Sequence, residues 1–160
     1  GKIKVVWVPL ANLSGTEDEF LAEPSLADMT ASGSIDLTDA IAFDGYDLGA
    51  TDSNKIEDRG FAQFSGSLTF FRGITSETSG AYYNAYEAFK ASTDGTRPAG
   101  FLITRINTPN ATALGTAQIV SAFKFVADAF MDDTEGEDSV KFMVNFAPQG
   151  KVAINATTGA

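Results

Sequence analysis

FAQFSGSLTFF (residues 61–71) decides the fold of this chain, because its side chains alternate with a period of two. Phe64, Gly66, Leu68 and Phe70 fall on one side of an extended backbone, and Gln63, Ser65, Ser67 and Thr69 fall on the other. One apolar and one polar face make a half-buried β-strand. The period changes in AYYNAYEAFK (residues 81–90), where Tyr82, Ala85, Tyr86 and Phe89 recur at i, i+3, i+4 and i+7 while Glu87 and Lys90 lie off that stripe. This spacing predicts an amphipathic helix, stopped at Asp94-Gly95. An aromatic stripe of this kind can stack a sugar or a base, but packing against a core is its commoner use, and we take it as core.

Downstream, GFLITRI (100–106), AQIVSAFKFVADAFM (117–131), SVKFMVNFA (139–147) and KVAIN (151–155) read as strands. In the long run Ile119, Phe123, Phe125, Ala127 and Ala129 share one face, with Val120, Lys124, Val126 and Asp128 opposite. Val140, Phe142, Val144 and Phe146 alternate in the same way with Lys141, Met143 and Asn145. Upstream, Lys2 to Pro9 reads as a strand with Ile3, Val5 and Trp7 on one face, ended by the proline. Thr16 with Glu19, and Ser25 with Asp28, have the spacing of capping boxes and predict short helical turns on either side of Pro24. Ile35 to Phe43 reads as a further strand. DGYDLGATDSNKIEDRG (44–60) shows no period; at about seventeen residues it exceeds an ordinary connection and reads as a binding or assembly loop, the alternative being a surface loop with no partner. The chain is thus expected to be mainly β: one domain over residues 1–160, a β-sandwich or barrel of about seven strands with one flanking α-helix. The faces opposite the core mix Val120, Val126 and Met143 with polar residues, which points to contact with another subunit.

Composition removes much chemistry. A chain of 160 residues has the size of one domain and is long enough to bury a core without staples. It has no cysteine and no histidine, so there is no disulfide framework, no thiolate metal site and no imidazole base. No apolar run reaches the length of a bilayer span, and GKIKVVWVPL is too short for a signal peptide; a soluble chain lacking its initiator methionine is expected. The net charge of -10 is concentrated, since residues 16–60 hold twelve of the twenty-one acids and only Lys55 and Arg59 of the eleven bases. Such a chain does not grip phosphate backbones, which takes clustered Lys and Arg.

MDDTEGED (131–138) crowds Asp132, Asp133, Glu135, Glu137 and Asp138 between two strands and so reads as a hairpin connection. Counted from Asp132, glycine falls fifth and position twelve is Met143, so the spacing of an EF-hand is absent. Glycosidase chemistry needs two carboxyl groups facing each other across a cleft, one with a raised pKa; carboxylates on a turn tip are hydrated and ionised. A solvated acidic turn that discourages wrong strand pairing is the favoured reading. A looser calcium site, as part of a carbohydrate- or calcium-binding β-sandwich, and a carboxylate hydrolase stand as rivals. No G-x-x-x-x-G-K-[ST], G-x-G-x-x-G or G-x-S-x-G is present, and the sequons at Asn12, Asn110 and Asn155 matter only in a secreted eukaryotic setting.

VVWVPLANLSG (5–15), PSLADMTASGSIDLTDAI (24–41), the polar stretch leading into FAQFSGSLTFF, then AYYNAYEAFK and GFLITRI occur in an order that resembles the major tail protein of long-tailed bacteriophages, especially phages of actinobacteria. The resemblance covers nearly the whole chain. It implies a β-sandwich or barrel subunit with a flanking helix and no appended immunoglobulin-like domain, similar also to the tube-forming protein of type VI secretion. It further implies a structural virion protein, not an enzyme and without a cofactor, that forms hexameric rings stacked into a tail tube assembled in the host cytoplasm. The implied partners are further copies of the chain and the tape measure, tail tip and terminator proteins. DNA would pass through an acidic lumen without specific binding and no membrane would be involved. Within that frame Gln63, Ser65, Ser67, Thr69, Lys124 and Asp128 are candidates for the lumen wall, with Asp128 pairing Lys124. The segment holding Asp44, Tyr46, Asp52, Lys55, Ile56, Glu57 and Arg59 is the candidate arm to a neighbouring subunit.

Overall fold

A computed structural model describes residues 2–50, 64–72, 79–90, 97–128, 132–133 and 141–160. Eight strand segments lie among the described residues, two of them only two residues long, so the mainly β class expected from the sequence holds. The strands are β1 (Ile3–Pro9), β2 (Ile35–Asp36), β3 (Ile41–Ala50), β4 (Phe64–Phe71), β5 (Ala99–Ile106), β6 (Ile119–Ala127), β7 (Asp132–Asp133) and β8 (Lys141–Thr157). The helices are α1 (Glu17–Ala22), α2 (Leu26–Thr30) and α3 (Ala81–Phe89). The chain divides into two compact units, one of residues 1–38, 99–124 and 151–160, the other of residues 39–98 and 125–150. β6 and β8 contribute residues to both.

In the first unit β1 is central. It pairs antiparallel with β5, Ile3 opposite Ile106 and Pro9 opposite Gly100, and with the short β2 through Val6 and Trp7. Residues 4–8 are buried on both faces, so the alternation read from Ile3, Val5 and Trp7 describes only half of what the strand covers. The other face, Val6 and Val8, joins Phe101 and Ile103 of β5, Val120 and Ala122 of β6, and Phe20 and Met29 from α1 and α2 in one cluster. Phe20 lies against Phe101 with ring centroids 5.0 Å apart. Both short helices are capped as their sequences predict: Thr16 Oγ1 accepts from the Glu19 N–H and Ser25 Oγ from the Asp28 N–H. A Cβ at Gly100 would run into the Val8 carbonyl oxygen and the Trp7 ring, so only glycine lets β5 close on β1 here.

The second unit orders its strands β8-β4-β3, all antiparallel, with α3 against them. Leu68 and Phe70 of β4 and Phe142, Val144 and Phe146 of β8 are buried, as their alternation requires. Two residues of the predicted helical stripe, Ala85 and Phe89, are buried. Phe89 stacks on Phe70 at 5.6 Å and meets Phe146 edge-on at 5.4 Å. Tyr86 meets Phe142 edge-on at 5.5 Å while the Arg72 guanidinium lies 3.4 Å above the centre of its ring. Tyr82 is the outermost of the four and tilts against Phe71. α3 ends at Phe89, one turn before the predicted stop at Asp94-Gly95, which lies outside the described residues.

Four boundaries differ from the sequence reading. Ile35 to Phe43 is two strands separated by a tight turn at Thr38–Ala40, because Asp36 Oδ1 accepts from both the N–H and the hydroxyl of Thr38 and turns the chain. β3 continues to Ala50, so Asp44 to Ala50 are strand, not loop: Tyr46 pairs with Leu68 and Ala50 with Phe64 after a register shift that follows Ile41. SVKFMVNFA and KVAIN merge into the single long β8. In β6 the buried positions change parity. Val120 and Ala122 are buried where the first unit's helices cover that side, whereas Phe125 and Ala127 are buried in the second unit, so Val120 lies in a core and Ile119 is exposed.

Candidate functional site

The face of β4 opposite the aromatic core carries two of the sequence candidates. Ser67 and Thr69 alternate with buried Leu68 and Phe70, and by register they stand across from Asn145 and Met143 of β8, both exposed. From the other side the Asp47 position of β3 pairs with Ser67. At the end of this face the Lys141 ammonium lies 5.5 Å from the centre of the Phe71 ring. Ser65 belongs to the backbone of β4, and Gln63 lies outside the described residues.

Lys124 and Asp128 do not pair with each other, contrary to expectation. Lys124 Nζ lies 2.6 Å from Glu17 Oε1 of α1 and its side chain is largely covered, while Asp128 Oδ1 takes the guanidinium of Arg97 at 2.9 Å. The reason is the packing that flips β6: α1 covers the even-numbered side of the strand in the first unit and brings its own acid to the lysine. Asp44 and Tyr46 of the predicted arm belong to β3, whereas Asp52, Lys55, Ile56, Glu57 and Arg59 lie outside the described residues. The acidic turn is entered by a strand: Asp132 pairs with Phe142 and Asp133 with Lys141, antiparallel, as a hairpin connection demands. Glu135, Glu137 and Asp138 lie outside the described residues.

Part of the acid surplus is neutralised where it stands. Glu17 pairs with Lys124, Asp18 with Lys151 at 3.3 Å, and Asp36 with Lys4 at 2.6 Å. Burial pushes the Asp36 carboxyl up, but hydrogen bonds from Lys4 and Thr38 and the ammonium charge together hold it below the ordinary carboxylate value. Glu87 pairs with Lys90 one turn along α3 and raises the lysine's pKa by that hydrogen bond. Glu19, Glu23 and Asp39 have no ion-pair partner among the described residues. Glu19 and Glu23 line a cleft of about 330 Å³ together with Asp28, Ser14, Thr16 and Ser25. Asp28 is spent on structure there, accepting the Ser14 N–H at 3.3 Å through both oxygens. Among the described residues no three acidic side chains converge closely enough to hold a metal ion, and no helix is long and apolar enough to cross a membrane.

One residue with a structural task went unread. Arg105 of β5 is 2 % exposed, and its guanidinium donates to the carbonyl oxygens of Pro109, Thr112 and Ala113 at 2.7–3.1 Å and to Gln118 Oε1 at 3.0 Å. The available signal is its parity, since in GFLITRI it shares the buried side with Phe101 and Ile103.

The fold defines a mainly β chain whose described ion pairs are scattered over several elements. The particular family follows from sequence comparison. A model of the phage tail tube protein family matches residues 1–160, and the chain belongs to that family. It is thus a structural protein of the bacteriophage tail, located in the virion, in a family that implies assembly with itself and with other tail components and is not known for enzymatic activity. No curated protein matches the chain at significant sequence similarity.

Proposed function

We propose that the chain builds hexameric rings that stack into the tail tube and that the tube is an acidic conduit for DNA during ejection. The observation that carries this reading is the family match along the entire chain. The ring number comes from the resemblance to long-tailed phages. The concentration of twelve acids against two bases in residues 16–60 supports the electrostatic part. Repeated around a ring and along a stack, such a surplus repels phosphate at separations below a Debye length, so that DNA slides without sticking.

The wall we assign to the lumen is the face of β4 and β8 opposite the aromatic core, with Ser67, Thr69 and Asn145 and, in register, the Asp47 position. Lys124 and Asp128 leave the wall in this reading, since their charges are met by Glu17 and Arg97. The segment after β3, with Asp52, Lys55, Ile56, Glu57 and Arg59, is the arm to a neighbouring subunit; its length and mixed charge support this. Assembly takes place in the host cytoplasm, with the tape measure, tail tip and terminator proteins as heterologous partners.

Electron microscopy of the purified protein at rising concentration tests the reading. Rings or tubes of uniform diameter are expected. A monomer that persists at every concentration, even with a tail-tip seed, overturns it. The lumen assignment has its own test: Asn145→Lys should leave tubes intact and slow DNA ejection, and an unchanged ejection rate removes that face from the wall.

A further inference from the structure

We infer that the groove walled by Ile106 and Ile119 in the first unit is a seat for a second copy of this chain; the inference rests on the tube reading and names one of its contacts. Ile106 is 59 % and Ile119 51 % exposed, and with Thr104, Asn107, Ser121 and Asn155 they line a groove of about 370 Å³. Single exposed apolar residues are ordinary, but apolar residues grouped on one groove mark contact surfaces.

The groove continues a core face. Across the β1–β5 ladder Trp7 pairs with Leu102, Val5 with Thr104 and Ile3 with Ile106, and directly opposed residues of an antiparallel pair share a face. Along it Trp7, Leu102 and Val5 are fully buried, Ile3 is half-buried, and Ile106 lies in solvent. An apolar face therefore runs out of cover at its end, where a second molecule would supply it.

The walls are also held in place. Asn107 (φ 63°) and Asn155 (φ 54°) adopt the left-handed conformation at the rim, and the Asn155 N–H donates to Ser121 Oγ at 3.2 Å, tying β8 to β6. Residues 107–118, which link Ile106 to Ile119, are pinned from behind by Arg105 through Pro109, Thr112, Ala113 and Gln118. A pre-arranged surface loses little freedom when covered.

Charge selects the occupant. Among the described residues no ionisable side chain lines the groove, in a chain with a net charge of -10. Two copies repel one another wherever their acid-bearing surfaces approach, so their contact is most favourable on ground that carries no charge. A basic partner would find its complement on the acidic segment 16–60 instead, and nucleic acid would be repelled. The two isoleucines fall short of the roughly 800 Å² per partner of a standard interface, so the groove is the apolar centre of a wider contact.

The chain has no cysteine, which makes a single introduced thiol a clean reporter. Ile119→Cys is reacted with a maleimide in assembled tubes and in the dissociated subunit, with Ile106→Cys repeating the measurement from the other wall. Protection of at least tenfold on assembly is expected at both positions, and a thiol variant that folds but no longer assembles also supports the seat. Equal reactivity in tubes and subunits overturns the seat while leaving the tube reading intact. Protection that appears only in complete tails, and not in tubes of the pure protein, overturns it in favour of another tail protein. Wild-type protein that never assembles, even with a tail-tip seed, overturns both.

Discussion

The two compact units close their strands with different chemistry. Residues 39–98 and 125–150 are closed by rings: Phe70, Phe89, Phe125, Phe142 and Phe146 are all buried, with neighbouring centroids 5.2–5.6 Å apart. The other unit is closed by Val5, Val6, Val8, Leu102, Ile103 and Trp7, and it buries two cations, Lys4 and Arg105, among them. Ring clusters accept both stacked and edge-on contacts, and their stabilisation scales mainly with the apolar surface removed from water. Buried cations are directional: each is tolerated only while its acceptors are in place, and the loss of one partner strands the rest. One unit should therefore respond to lost volume, and the other to lost hydrogen bonds.

Phe142→Ala should have the largest effect. The ring lies 5.2 Å from Phe70 and 5.5 Å from Tyr86 and is fully buried, so truncation should cost about 3–5 kcal/mol, read as a fall in the urea midpoint. A loss below about 1 kcal/mol would break the view that rings hold this unit together. Arg105→Met comes next. It keeps most of the stem's volume but removes a buried donor from Gln118 Oε1 and from three carbonyl oxygens, of which Pro109 keeps the Thr112 N–H and Ala113 keeps the Gln118 amide, at a cost of roughly 2–3 kcal/mol. Hydrogen exchange should speed up through residues 107–118 and stay unchanged in β4 and α3. Exchange that spreads into those elements would show that the units do not fail separately.

The same difference decides what could be read from sequence. β4 and α3 each bury one face, so periods of two and 3.6 locate Leu68, Phe70, Ala85 and Phe89 directly. Caps are local, and both Thr16 and Ser25 do what their spacing announces. β1 is covered on both sides, which removes the alternation that would have shown its second face. β6 serves two cores with opposite parities, so a single period along it misplaces Val120 and Ile119. Asp44 to Ala50 is polar and rich in glycine and looks like loop, yet its pairing with β4 makes it strand. The partner of Lys124 is Glu17 on α1, far from it in sequence, so no local spacing announces the pair. Of the candidate site, Ser67 and Thr69 are the part that alternation could place, whereas charge pairing between distant elements left no local trace.

The Lys4–Asp36 pair is the weaker of the buried-cation arrangements, because the Asp36 side chain is half exposed and water screens it. Asp36→Asn should cost no more than about 1 kcal/mol at neutral pH. The sign of its pH dependence follows from the lowered carboxyl: with a folded value below 3.8, its contribution is complete above 3.8 and is lost as the pH falls through the folded value. Urea midpoints of wild type and Asp36→Asn should therefore differ at pH 7 and converge below pH 3.8. A gap that persists into strong acid would assign the effect to packing and not to charge.

The smallest effect lies in the pinned segment itself. Ala117 has φ 58°, a left-handed conformation in which its Cβ crowds the following carbonyl, and it holds that conformation because its N–H donates to the Thr158 carbonyl at 2.9 Å. On its other side Gln118 N–H donates to Thr158 Oγ1 at 2.9 Å, and that hydroxyl donates to the Gly115 carbonyl. These bonds and the Arg105 fork fix the backbone so firmly that the strained residue cannot relax away. Ala117→Gly removes the crowding, a gain of about 1–2 kcal/mol, and adds unfolded-chain entropy worth about 0.5–1 kcal/mol in the opposite direction. The net should be a stabilisation of roughly 0.5 kcal/mol, measured as a rise in the urea midpoint at unchanged slope. The effect should vanish in an Arg105→Met background, where the loop is free to relieve the strain by itself. Equal stabilisation in both backgrounds would show that Thr158 alone sets the conformation, and the buried arginine would then serve the carbonyls without dictating the turn that follows them.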